Sequence, residues 1–143
     1  MSLLNGVRAL ACATLLATAA PTSAAEDVKS VRVLQESLVA WAASDFIEHG
    51  PRPRQVRNVH VRYAVNDSGE RSYMLCGQFL PDTGSDPGWL QFSTIKTDPY
   101  EQWIGGQAEG ICERATPLSE GVEDLSSALQ LKLSENATST SEP

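Results

Sequence analysis

The sequence predicts an α+β fold: an N-terminal amphipathic helix packed on an antiparallel sheet of three or four strands, stapled by one disulfide. Three observations predict it. Apolar side chains recur at three- and four-residue steps between Asp27 and Ile47. Two alternating runs then flank a turn cluster at Asn66-Asp67-Ser68-Gly69-Glu70. Finally, Cys76 and Cys112 are the two cysteines left once an N-terminal export segment is set aside.

The helix rests on Val31, Leu34, Leu38 and Trp41, which form one stripe of a 3.6-residue period, extended by Phe46 or Ile47. Asp27 is placed as its N-cap, and Gly50 followed by Pro51 and Pro53 ends it. Residues 55–65 then alternate, with Val59, Val61, Tyr63 and Val65 on one face and Asn58, His60, Arg62 and Ala64 on the other. Beyond the turn, Arg71–Leu80 forms a second strand, its Tyr73, Leu75 and Phe79 opposite in facing to Met74, Cys76 and Gln78. A hairpin centred near Ser68 pairs residues whose numbers sum to about 136, because only an even sum brings the two apolar faces together. Cys76 then shares a face with Asn58, His60 and Arg62.

Residues 81–88 form a loop, and Trp89–Thr97 a third strand with Leu90 and Phe92 inward. Residues 98–110, which carry Pro99, Gly105, Gly106 and Gly110, are expected to be irregular, and Ile111–Arg114 to be a short edge strand tied to Cys76. Leu118, Val122, Leu125 and Leu129 predict a second helix, and residues 134–143 a polar, disordered tail.

Residues 1–25 have the layout of a signal peptide. Arg8 closes a short n-region, an apolar run follows to Ala20, and Thr22-Ser23-Ala24-Ala25 offers the small side chains of a cleavage site. The run is shorter than the roughly 20 residues that span a bilayer, so no membrane anchor is expected after cleavage. The alternative of lipid attachment at Cys12 places that cysteine inside the apolar run rather than after it. The expected product is a single domain over 26–133, periplasmic or secreted, in a compartment where a Cys76–Cys112 bridge persists.

The chain of 143 residues has 11 Lys and Arg against 18 Asp and Glu, a net charge of −7. That balance argues against nucleic acid or anionic lipid as the partner, since binding either requires neutralising phosphates. The two histidines and the remaining cysteines lack the spacing of zinc-ligand pairs, and no cofactor motif is present. The one basic concentration is Arg52, Arg54, Arg57, Arg62 and Arg71. It is either a docking strip for an acidic partner or a set of arginines paired with the protein's own surplus acids. Trp89 and Trp103, with Tyr100 and the Gly105-Gly106 turn, are candidates to line a carbohydrate or peptide groove or else to pack in the core and loops. Trp103, in glycine-rich surroundings, is the one expected at a surface. Cys76 and His60, facing each other across the hairpin with Asn58 nearby, have the layout of a thiol nucleophile beside its base. Oxidation with Cys112 removes that thiol.

At Val56-Arg57-Asn58-Val59, then Tyr73-Met74-Leu75-Cys76-Gly77-Gln78, then Trp89-Leu90-Gln91-Phe92, the sequence resembles small exported proteobacterial proteins of unassigned function. The resemblance covers about a third of the chain and departs from the Asn-rich stretch expected after the Cys-Gly pair. It implies a secreted α+β domain and no particular chemistry. Together these readings lead to the expectation of a non-enzymatic exported protein that binds another protein or an envelope component. The alternatives are a small thiol or hydrolytic enzyme and a structural envelope protein.

Overall fold

The computed structural model describes residues 23–119 and 122–139, with side chains from Val28 onward. The signal-peptide reading of residues 1–25 therefore lies outside the described residues, except for the backbone of its last three. Among the described residues the chain forms α1 (Ser23–His49), β1 (Pro53–Val65), β2 (Arg71–Pro81), β3 (Leu90–Ile95), β4 (Glu101–Ile104), α2 (Gly106–Arg114), β5 (Thr116–Pro117) and α3 (Ser126–Ser139). The sheet is antiparallel, in the order β4-β3-β2-β1-β5.

The α+β class, the long first helix, the hairpin and the disulfide are as expected. From His60↔Cys76 to Val65↔Arg71 every β1–β2 pair has the even register anticipated, with Val61 opposite Leu75 and Tyr63 opposite Tyr73. Leu38, Ala42 and Phe46, four residues apart on α1, are fully buried against this face. The Phe46 ring packs 5.0 Å from Phe79 and 5.2 Å from Phe92, centroid to centroid. Leu125, Leu129 and Leu133 complete the same core from the α3 side.

Other expectations are corrected. Asp27 lies inside α1, which begins at Ser23 and follows 22 further residues, so the helix precedes the sheet but does not open the chain. The sheet has five strands rather than three or four, because residues 98–110 contain β4 as well as the start of α2, and Thr116–Pro117 adds β5. Gly105 at φ 79° turns the chain from β4 into that helix, a conformation that favours glycine. The segment expected as an edge strand, Ile111–Arg114, is the last turn of α2. The second predicted helix lies further along. Leu118 and Leu125 are buried outside any helix, Val122 is 71% exposed, and α3 runs from Ser126 to Ser139, past the expected domain end at 133.

Two irregularities in β1 shape the face opposite the core. One leaves Arg54 as the extra residue between the Pro53↔Pro81 and Gln55↔Leu80 pairs. The other falls between Arg57 and His60, where Asn58 adopts φ 53°. Strict alternation would have placed Arg57 on the core face with Val59 and Val61. The extra residue instead turns Arg57 outward opposite Gln78 and lets Val56 pack on the core opposite Phe79. The outer edge of β1 is closed by chain rather than left open, since Leu118 and Leu125 donate their N–H groups to the carbonyls of Val61 and Val59.

Candidate functional site

On the sheet face away from the main core, α2 is held down by the Cys76–Cys112 disulfide, with Cα atoms 5.9 Å apart. Met74, Cys76, Cys112 and Ala115 form a second small buried cluster there, flanked by Ile95 and Ile111. The bridge thus clamps the Cys112 segment over the second face. It also takes up the Cys76 sulfur, so His60, paired opposite Cys76, faces a cystine and not a thiol.

Beside the disulfide lies an open cleft of about 300 Å³. Asn58, His60 and Arg62 from β1, Gln78 from β2 and Gln91 from β3 line it, with Glu109 and Glu113 of α2 opposite. The strand side chains converge because they occupy alternate positions on the outer face, where Gln78 pairs with Arg57 on one side and Gln91 on the other. Glu109 and Glu113 fall on one side of α2 because they are four residues apart.

The arginines expected as one strip have separate fates. Arg57 stands with its guanidinium carbon 4.0 Å over the Trp89 ring, while its Nε donates to Gln78 Oε1 at 2.9 Å. Arg71 lies 4.1 Å over the Tyr63 ring at the hairpin end. Arg62 points into the fold, where its Nη1 donates to the carbonyls of Cys112 and Ala115 at the end of α2. Arg52 and Arg54 are exposed, just before and at the start of β1. No arginine–carboxylate ion pair forms among the described residues, so pairing with the surplus acids is not how these side chains are held. Trp103, 38% exposed, sits on β4 at the far edge of the sheet from β1, and is not brought to the strip. It borders a separate hollow with Gly106, Gln107, Gly110, Ile111 and Arg114.

Asp124 was not anticipated. Its Oδ1 accepts the Ser126 N–H at 2.8 Å and the Ser126 hydroxyl, and its Oδ2 is 3.8 Å from His60 Nε2. Partial burial pushes this carboxyl up. The bonds from Ser126, the neighbouring His60 and the Val59 N–H outweigh it and hold the group below its usual value. Gln78, Gln91, Glu109 and Glu113 were also unassigned by the sequence. The outward parity of Gln78 was visible, but its meeting with α2 depends on the disulfide.

Among the described residues no group of three His, Cys, Asp or Glu side chains is placed to hold a metal ion, and no helix is long and apolar enough to cross a membrane. No family model, curated protein or solved structure matches the chain.

Proposed function

We propose that this chain is a small exported protein, periplasmic or secreted after loss of residues 1–25, that works by binding an acidic surface of a macromolecular partner and not by catalysis. The observation that carries this reading is the posture of Arg57. Its plane is held against Trp89 and its Nε is engaged by Gln78, so the two terminal amino groups are left for an external acceptor. A fixed guanidinium of this kind recognises a carboxylate or phosphate through two parallel hydrogen bonds, with less conformational entropy to lose than a mobile side chain. Arg52 and Arg54 add positive charge beside it at the start of β1, without ion pairs among the described residues. The net charge of −7 over the whole chain repels nucleic acid while leaving this local patch able to steer an acidic protein or envelope component.

The test is a photo-reactive residue at Gln55 in the full chain, expressed in a cell that exports it, with the cross-linked partner identified by mass spectrometry. The expected adduct maps to an Asp- or Glu-rich or phosphate-bearing surface and is lost when Arg52, Arg54 and Arg57 are changed together to Ser. An adduct that survives the triple substitution overturns the reading.

A further inference from the structure

The cleft beside the disulfide has a charge arrangement that the arginine strip does not explain. His60 and Arg62 stand on its β1 wall, Glu109 and Glu113 on its α2 wall, and the amides of Asn58, Gln78 and Gln91 also line it from β1, β2 and β3. Opposite charges sharing one small cavity would ordinarily pair. Here no ion pair crosses the cleft among the described residues; His60 turns to Asp124 and Arg62 to backbone carbonyls. Glu113 also sits in the last turn of α2, where a carboxylate runs against the helix dipole, so local stability does not account for it. The disulfide fixes α2 against β2, and the width of the cleft is therefore set without a ligand.

We propose that this cleft binds a dipolar ligand of the amino-acid or short-peptide class. Its ammonium group lies against Glu109 and Glu113, its carboxylate against the His60–Arg62 wall, and its peptide groups on the three amides. A purely anionic ligand meets Glu109 and Glu113, and a purely cationic one meets Arg62, so each is opposed by one wall. A neutral saccharide satisfies the amides but leaves both charged walls without counter-charge. Gln78 Oε1 already accepts from Arg57 Nε at 2.9 Å, which orients its amide nitrogen as a donor for a peptide carbonyl. The volume of about 300 Å³ is at the small end of ligand sites and suits two or three small residues.

The proposal does not require a partner at the docking strip and shares with it only the Arg57–Gln78 bond. Its test is titration of the oxidised protein with tri-alanine, with N-acetylated and C-amidated tri-alanine, and with maltotriose, followed by amide NMR shifts. Tri-alanine is expected to move the signals of Gln78, Gln91, Glu109 and Glu113, and blocking either terminus to weaken binding by roughly ten-fold or more. In the surface variant Glu109→Gln/Glu113→Gln, with an unchanged melting temperature, the preference for a free amine should vanish. Binding in Arg52→Ser/Arg54→Ser should be unaltered. Equal binding of blocked and unblocked peptides, shifts elsewhere on the molecule, binding of maltotriose in their place, or no shift with any peptide would each overturn it.

Discussion

Arg62 Nη1 donates to the backbone carbonyl of Ala115 at 3.1 Å, and the same nitrogen reaches the Cys112 carbonyl at 3.3 Å, fastening β1 to the C-terminal end of α2. A cation there complements the helix dipole and satisfies carbonyls that have no partner within the helix. Arg62→Ala is expected to lower unfolding free energy by about 2 kcal/mol, since charged hydrogen bonds are lost and half-buried carbonyls are left without a donor. Arg52→Ala and Arg54→Ala, at exposed positions, should stay within about 0.5 kcal/mol of the parent. Urea denaturation of the three variants decides it; equal effects at all three positions would mean that Arg62 is not an internal clamp.

The disulfide closes a loop with a sequence separation of 36 residues, which on the chain-entropy model stabilises the fold by about 4 kcal/mol. Its loss should not be felt evenly. Only Ala108 and Cys112 of α2 are buried, so besides the Arg62 bonds at its C-terminal end that helix has little else to hold it to the sheet. Reduction is expected to abolish hydrogen-exchange protection in residues 106–114 before the β1–β2 ladder opens. Unchanged protection of α2 in protein with both thiols alkylated would show that packing and the Arg62 bonds hold the helix without the disulfide.

The parts of the fold legible in the sequence were those encoded by local period and parity. Val59, Val61, Tyr73 and Leu75 can join one apolar face in only one parity, and the ladder follows it. What stayed hidden depends on partners distant in sequence. Gly105, Gly106 and Gly110 disguise α2 as a loop, although Gly105 is needed to enter the helix and Gly110 leaves room for Arg114. Leu118 and Leu125 carry a helical spacing but are buried by backbone bonds to the edge of β1. Arg52, Arg54 and Arg57 could be picked out because they stand close together in the sequence, although the five arginines do not stay one strip in the fold. The contact of Trp89 with Arg57 and the cleft assembled from β1, β2, β3 and α2 could not.

Gly77 shows how tightly the core face is filled. A Cβ on this residue would stand 2.8 Å from both Phe92 Cε1 and Val59 Cγ2. Phe92 cannot retreat, being fully buried between Phe46 and Phe79. Gly77→Ala should therefore destabilise by about 1–3 kcal/mol through overpacking. Gly84→Ala, with open space around its Cβ, serves as the control. Adding Phe92→Leu to Gly77→Ala should recover part of the loss relative to Phe92→Leu alone. Thermal melts that rank Gly77→Ala with the control would refute close packing at this point.

Asp124 couples the entry of α3 to the edge of β1, and its charge gives that junction a pH dependence. Its carboxyl is held below the usual value of 3.8 in the folded chain, so the folded state favours the ionised form. The resulting stabilisation is present above that value and is lost as pH falls through the lower folded one. The side chain is 48% exposed, so screening limits the ionic part to a few tenths of a kcal/mol. Asp124→Ala, which also removes the Ser126 bonds, should destabilise by about 1 kcal/mol at neutral pH. Asp124→Asn keeps an acceptor for the Ser126 N–H and should be intermediate. The gap between parent and Asp124→Asn should hold from pH 7 to about pH 5 and narrow below pH 3.8, as the parent's carboxyl takes up its proton. Urea titrations at about pH 7, 5 and 3 are sufficient, and a gap that stays constant down to pH 3 would show that the geometry of this turn, and not its charge, holds α3 to the sheet.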